Sequence, residues 1–160
     1  MEDNNTKKRL LEYNGIIKEN DDIYREITRS FGLSECGFWI LYLLRTVYRP
    51  LAQSEVCAHI YLPKQTVNSA LKKMETDGYI GQVPGEDHRS KRIVLTDRGI
   101  RLCERTIDQV IEAEYQVFES LSEEEQKAFL GLFHKYTGLL KTRMRALSRE
   151  YRAGDRPQTE

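Results

Sequence analysis

This 160-residue sequence lacks the features that mark membrane, secreted and zinc-stabilised proteins. Its three cysteines, Cys36, Cys57 and Cys103, are odd in number and include no CxxC pair, which argues against a disulfide framework and a cysteine-rich zinc site. No apolar run approaches the ~20 residues of a membrane-spanning helix, and the polar N-terminal segment lacks the apolar stretch of a signal peptide. These absences predict a cytoplasmic chain that does not enter the membrane.

The sequence also lacks the local motifs of common enzyme sites. It contains no nucleophile elbow, phosphate loop, HExxH motif or dinucleotide fingerprint. The three histidines, His59, His88 and His134, lie far apart without the spacing of paired metal ligands. The acidic run 123–125 fits a helix start, where the dipole favours negative charge, better than a pair of catalytic carboxylates. We therefore expect neither an enzyme nor a bound cofactor or metal.

Net charge is zero, but the charge is unevenly distributed along the chain. Residues 45–101 carry ten basic and six acidic side chains, whereas residues 1–44 and 102–160 each carry two more acidic than basic groups. A basic middle between acidic flanks is compatible with phosphate binding, and equally with ordinary solvated surface charge. The motifs in the middle segment must decide between the two.

Apolar periodicity predicts two helices in the first third of the chain. The first covers about 10–31 and ends at Gly32, a residue that suits a helix C-terminus. Ser34 is a good N-cap for the second, which covers about 35–47 and is broken by Pro50. Because the second helix is apolar nearly all round, we expect it to be central and buried on more than one side.

The next segment predicts a helix-turn-helix. A short helix covers 53–60, with Ala58 among its inward side chains, and a brief linker leads to Pro63, which suits the first turn of another helix. That helix runs to about Asp77 and is closed by Gly78. Two short helices joined by a tight linker, with polar groups on the outer face of the second, are typical of this motif.

A β-hairpin is predicted directly after the second short helix. The runs 79–83 and 91–95 are rich in β-branched residues, and the charged segment 84–90 between them contains turn-forming residues. A hairpin in this position is a wing. Thr96 then caps a long helix with a mostly apolar stripe.

The C-terminal helices present a burial problem. Ser122 and Glu125 form a capping-box pattern at the start of a final helix whose one face is apolar, and the polar tail 152–160 is predicted to be disordered. A small winged domain cannot cover the apolar stripes of all the long helices. A partner chain using the same helices would cover them by two-fold packing; the alternative is that they fold back on their own domain.

These elements predict a mainly α fold with a small β-hairpin wing, in the α+β class. The single domain spans 1–160, with the winged helix-turn-helix at about 34–99. The dimerisation helices flank it at about 8–31 and 100–150.

In this order and spacing, the sequence resembles the MarR family of bacterial transcriptional regulators. The matching residues are Leu33-Ser34, Phe38, Leu41 and Leu44 in the second helix, Pro50 to Val56 at the start of the helix-turn-helix, Thr66-Val67, Leu71, Met74-Glu75 and Gly78-Tyr79-Ile80 in and after its second helix, and Asp87 to Thr96 with Gly99 in the wing. The wing matches best, with aspartate, an arginine two positions on, and a closing leucine-threonine followed by glycine. Cys36-Gly37 departs from the pattern and makes the family's ligand chemistry harder to transfer.

The outer face of the second short helix carries side chains suited to DNA. Asparagine and glutamine pair bidentately with adenine, and lysine suits phosphate. The alternative is an ordinary solvent-facing surface. The candidate base readers are Gln65, Asn68 and Ser69, and the candidate phosphate contacts are Lys64, Thr66, Lys72 and Lys73.

The wing offers a second set of DNA contacts. Arg89 at its tip suits a narrow minor groove, where negative potential attracts arginine. The family resemblance implies that Asp87 orients Arg89 rather than touching DNA. Lys91 and Arg92 suit the DNA backbone, although strand alternation puts only one of them outward.

The resemblance also implies an effector pocket between the dimer helices and the winged domain. Candidate lining residues are Tyr13, Tyr24, Cys36, Trp39 and Leu43, which would suit a hydrophobic phenolic ligand or form ordinary core. Redox sensing through Cys36 is an alternative, because a helix first turn lowers a thiol pKa. The expected function is a homodimeric repressor on a pseudo-palindromic double-stranded DNA operator, and the rival from another class is a winged-helix protein–protein adaptor.

Replacing Arg89 separates the DNA-binding and adaptor hypotheses. Arg89→Ala should strongly reduce operator affinity, because the wing loses its minor-groove cation, while fold and dimer stay unchanged. Fluorescence anisotropy with labelled operator, alongside circular dichroism, makes the measurement. Unchanged affinity would favour the adaptor.

Overall fold

The computed structural model describes residues 2–85 and 90–154. The chain divides into two compact units, residues 1–111 and 112–160. The elements are α1 (Glu2–Ser30), α2 (Glu35–Thr46), β1 (Leu51–Ala52), α3 (Gln53–His59), α4 (Lys64–Thr76), β2 (Ile80–Pro84), β3 (Lys91–Leu95), α5 (Asp97–Arg105), α6 (Ile107–Glu119) and α7 (Glu123–Gly154). This is the predicted mainly α fold with one small sheet. None of the described helices is long and apolar enough to cross a membrane.

Helix α2 is the centre of the first unit. The Ser34 side chain caps it by accepting a hydrogen bond from the Gly37 amide at 3.1 Å, as predicted. Phe38, Ile40 and Leu41 are completely buried, and α2 contacts α1, α3, α4, α5 and β3. Burial of each such side chain stabilises the fold by about 1.5–3 kcal/mol. The near-continuous apolar surface of this helix is therefore what assembles the unit.

Helix α1 is longer than predicted and is continuous. It passes through Gly15 and the polar segment 20–22, both weak points for a helix, and ends where Gly32 adopts a left-handed conformation with φ of 67°. Several of its apolar side chains are exposed, namely Leu10, Leu11, Ile16 and Ile23.

The helix-turn-helix forms as predicted, with one exception. Val67, Leu71 and Met74 bury the inner face of α4, and Gly78, with φ of 75°, closes it. In α3 the Val56 side chain is buried, but Ala58, predicted to point inward, is exposed. A helix of two turns has a narrow buried face, so Ala58 falls on the solvent side.

The wing belongs to a three-stranded antiparallel sheet in the order β1–β3–β2. Ile80 pairs with Leu95 and Pro84 with Lys91, so the hairpin is in the predicted place. Strand β1 was not predicted: it has two residues, of which Leu51 is fully buried opposite Ile93. Of the predicted wing tip at 84–90, residues 86–89 lie outside the described residues.

The long helix predicted after Thr96 is divided into α5 and α6. Thr106 leaves helical geometry, with φ of −133° and ψ of −77°, and its buried Oγ1 donates to the Leu102 carbonyl at 2.7 Å. Side-chain bonding of threonine to the preceding turn competes with the helical ladder. The apolar stripe continues across the break, which is why periodicity alone missed it.

The second unit begins within α6 and contains the long helix α7. Ser122 and Glu125 form the predicted capping box: the Ser122 amide donates to Glu125 Oε2 at 2.8 Å, and Oγ of Ser122 accepts from the Glu125 amide at 3.3 Å. The helix includes residues 152–154, which were predicted to be disordered; residues 155–160 lie outside the described part. Its exposed apolar side chains are Phe129, Leu130, Leu132, Phe133, Leu139, Leu140, Met144, Leu147 and Tyr151.

Gly99 should be the least replaceable glycine at the wing. A Cβ built there lies 1.9 Å from the Tyr79 carbonyl oxygen, so Gly99→Ala should lower the free energy of unfolding by about 1–3 kcal/mol. Gly15 in α1 has open space around its Cβ position, so Gly15→Ala should raise the free energy of unfolding by up to about 1 kcal/mol. Urea unfolding followed by circular dichroism tests both; a neutral Gly99→Ala would contradict this packing.

Candidate nucleic-acid interface and effector cavity

The outward face of α4 displays most of the predicted DNA-contact side chains. Lys64, Gln65, Thr66, Ser69, Lys72 and Lys73 are exposed, and Asn68 is half-buried. Helical spacing brings Gln65, Ser69 and Lys72 onto one surface. Lys73 differs from its neighbours because its Nζ lies 2.9 Å from Asp77 Oδ2, and this carboxylate raises the pKa of Lys73. Lys73 is therefore partly neutralised within the helix.

Asn68 already has hydrogen-bond partners. Its Oδ1 accepts from Gln53 Nε2 at 2.7 Å and from the Cys57 thiol at 3.6 Å. Bidentate pairing with adenine requires a free acceptor as well as a free donor. Asn68 is therefore less suited to pair with adenine than Gln65, whose side chain is exposed. Gln53 joins the candidate DNA contacts, although no sequence pattern pointed to it. Gln53 and Asn68 are fifteen positions apart, so no local sequence pattern predicts that they pair.

The two basic residues of β3 point in different directions, as strand alternation predicts. Lys91 is exposed, whereas Nη1 of Arg92 lies 2.5 Å from Glu55 Oε2. Glu55 Oε1 also accepts from Arg49 Nη2 at 2.8 Å, and Oε2 accepts from the Ala52 amide at 2.7 Å. The Arg49 hydrogen bond, then that of Ala52, lowers the pKa of Glu55 to about 2. Arg92 therefore ties the wing to the start of α3.

A cleft of about 320 Å³ separates α4 from the hairpin. It brings together Lys72 and Lys91, predicted from different elements, on its walls. The lining also includes Gln53, Asn68, Leu71, Glu75, Ile80, Gln82 and Ile93. Of the predicted wing-tip contacts, Asp87 and Arg89 lie outside the described residues.

A second cavity, of about 530 Å³, lies between α1, α2 and the α3–α4 linker. Trp39 and Leu43, two of the predicted ligand contacts, are among the residues that line it. The others are Asp21, Glu35, Tyr42, Thr46, His59, Ile60, Tyr61 and Leu62. Tyr24 packs on Trp39, with ring centroids 5.3 Å apart, and lines a smaller neighbouring cavity of about 110 Å³. Among the described residues, Tyr13 and Cys36 line neither cavity.

Cys36 lies in the hydrophobic core. Burial raises the pKa of its thiol, and Cys57 and Glu35 act in the same direction. This is opposite to the direction expected from its position in the first turn of α2. Because the thiolate is the reactive form, the surroundings of Cys36 give no support to redox sensing.

Comparison with known proteins agrees with this fold. Residues 38–90 match the family model described as MarR family. The chain is 29% identical to the HTH-type transcriptional regulator YwoH of Bacillus subtilis over 66% of this chain and 77% of YwoH. It is 32% identical to the HTH-type transcriptional regulator PecS of Dickeya dadantii over 69% of this chain and 70% of PecS.

Solved structures share the fold. A MarR family regulator of Neisseria meningitidis, NMB1585, superposes with a TM-score of 0.70 at 22% identity, covering 89% of this chain and 98% of that chain. MepR of S. aureus, solved in a DNA complex, gives 0.64 at 23% identity over 80% and 93% of the two chains. The organohalide-sensing regulator RdhR, bound to 2,4-dichlorophenol, gives 0.58 at 23% identity over 80% and 78%.

The fold and the polar face of α4 define the class of winged helix-turn-helix transcriptional regulators. Within that class, the chain belongs to the MarR family. This is a family of regulators, and the chain is not an enzyme.

The Glu55 ion pairs should make stability depend on pH. Because the folded-state pKa of Glu55 lies below its ordinary value of 4.5, its stabilising contribution is complete above that value and is lost as the pH falls towards about 2. Glu55→Gln should therefore unfold at lower urea than the parent chain at neutral pH, with the difference shrinking across this range. Glu19→Gln, at an exposed glutamate within α1, controls for lost charge. A difference that persists at low pH would contradict an ionic role.

Proposed function

We propose that this chain is a homodimeric, sequence-specific DNA-binding regulator, a repressor that a small hydrophobic ligand releases from its operator. The observation that carries the proposal is the exposed polar face of α4, with Lys72 and Lys91 facing a common cleft. A helix presented in this way fits the major groove of DNA. MepR, a fold neighbour solved in a DNA complex, supports DNA binding as the function.

The DNA contacts divide by chemistry. Gln65 and Ser69 are exposed and read base edges, while Lys64, Thr66, Lys72 and Lys91 hold phosphates. Lys73 and Arg92 contribute less, because each already pairs with a carboxylate. Arg89, as a minor-groove cation, and Asp87, as the carboxylate that orients it, stay predicted contacts because they lie outside the described residues. A chain that binds chromosomal DNA acts in the cytoplasm.

The dimer is formed by the long helices outside the winged domain. Exposed apolar side chains lie on α1, on α6 (Tyr115 and Val117) and along the length of α7. A series of such side chains along one helix is typical of an interaction surface. A second copy would cover it by two-fold packing. Two-fold symmetry then places two half-sites about 10 bp apart in a pseudo-palindromic operator.

The effector occupies the cavity beside Trp39 and Leu43. Its volume of about 530 Å³ falls within the range typical of ligand sites, and aromatic side chains line it. Because it lies between α1, α2 and the α3–α4 linker, a ligand there favours one arrangement of the winged domain over another. RdhR solved with 2,4-dichlorophenol supports a phenolic ligand.

Two α4 variants test the proposal together. Lys72→Ala should weaken binding to all sequences and reduce the salt slope by about one, because it removes one phosphate contact. Gln65→Ala should instead relax the preference at one base pair by about 1–3 kcal/mol. Anisotropy titrations against an operator and its base-substituted versions, across salt, give both quantities. The exposed Lys141 of α7 provides the control Lys141→Ala, expected to be silent.

If Lys72→Ala and Lys141→Ala bound DNA with the same affinity and salt slope, the assignment of α4 as the DNA-facing helix would be wrong. A folded dimer of the parent chain that binds no DNA at low salt would favour the protein–protein adaptor.

A further inference from the structure

Asn68 and Gln53 form a polar pair at the edge of the cleft between α4 and the hairpin. Gln53 is exposed and Asn68 is half-buried, and the bond between them, 2.7 Å from Nε2 to Oδ1, joins α3 to α4. The Cys57 thiol, 3.6 Å from the same oxygen, is a second and weak donor to it. These two contacts restrain the Asn68 amide, whose oxygen faces Gln53 Nε2.

The cleft has the chemistry of a phosphate site. When a helix lies in the major groove and a wing reaches the adjacent minor groove, one sugar–phosphate strand passes between them. Lys72 and Lys91 supply positive charge to this cleft, and Gln53 and Gln82 supply neutral amide donors. Glu75 also lines it and acts against an anion.

We propose that Gln53 contacts a DNA backbone phosphate in this cleft, and that Asn68 is a positioning residue that acts through Gln53 rather than a base reader. The proposal rests on the proposed function, since it requires α4 to face DNA. Nε2 of Gln53 has two hydrogens: one is donated to Asn68, and the other is available to a phosphate oxygen. Fixing the amide in advance reduces the side-chain freedom that Gln53 loses on binding.

A double-mutant cycle tests this assignment. Gln53→Ala should weaken operator binding roughly tenfold, the effect of losing a hydrogen bond to a charged group. Asn68→Ala should weaken it several-fold with unchanged base preference. In the Gln53→Ala background, Asn68→Ala should cause no further loss, because its only route to DNA is gone. The readout is anisotropy with the operator and a panel of single base-pair substitutions.

Three results would overturn the assignment. Additive losses would mean that Asn68 acts independently of Gln53, through the fold or through its own contact. A base preference altered by Asn68→Ala would make it a reader. Unchanged affinity in Gln53→Ala would remove the phosphate contact.

Comparing Gln53→Ala with Lys72→Ala separates this proposal from the proposed function. If Lys72→Ala weakens binding while Gln53→Ala does not, only the assignment of Gln53 fails; if neither does, the DNA-facing assignment of α4 fails. Gln53→Glu places a carboxylate beside the phosphate and should lose more affinity than Gln53→Ala. An equal or smaller loss would contradict proximity to an anion.

Discussion

The fold depends on the buried face of α2. Phe38, Ile40 and Leu41 have no exposed surface, and this one helix contacts α1, α3, α4, α5 and β3. An element that packs against so many others fixes their mutual positions, because close-packed interiors transmit shifts rather than absorb them. Helix α4 and the wing strand β3 are thus placed relative to each other by the contacts that each makes with α2.

Hydrogen bonds and ion pairs at the edges of this core also connect its elements. Arg45 makes a bidentate pair with Asp108, Nε to Oδ1 at 2.7 Å and Nη2 to Oδ2 at 2.5 Å, which joins α2 to α6. Thr96 Oγ1 donates to the Gly78 carbonyl at 2.6 Å and links the end of α4 to the start of α5. Together with the pairing of Glu55 and Arg92, these contacts link helices and strands that are far apart in the sequence.

Interactions between residues close together in the sequence could be predicted, whereas interactions between distant segments could not. Ser34 and Ser122 cap their helices through neighbours three positions away, and Gly78 needs only its own backbone freedom, so local patterns identify them. Strand β1 forms only because β3 lies beside it. The break at Thr106 interrupts the helix but not its apolar stripe, so the periodicity of the sequence gives no sign of it.

The same rule explains the site. The exposed face of α4 could be predicted from helical spacing, whereas the pairing of Asn68 with Gln53 and of Arg92 with Glu55 connects residues 15 and 37 positions apart. Such pairings depend on how α3, α4 and β3 pack. Residue type therefore predicted which side chains suit DNA, and packing decided which of them are already engaged.

Binding of DNA by a homodimer is tested most directly by sedimentation of the chain with duplex DNA from its own upstream intergenic region, repeated across salt concentrations. Two chains should bind each duplex in the presence of nonspecific competitor, with an affinity that falls steeply as salt rises. A folded dimer that fails to bind at low salt, or a single chain per site, would contradict it.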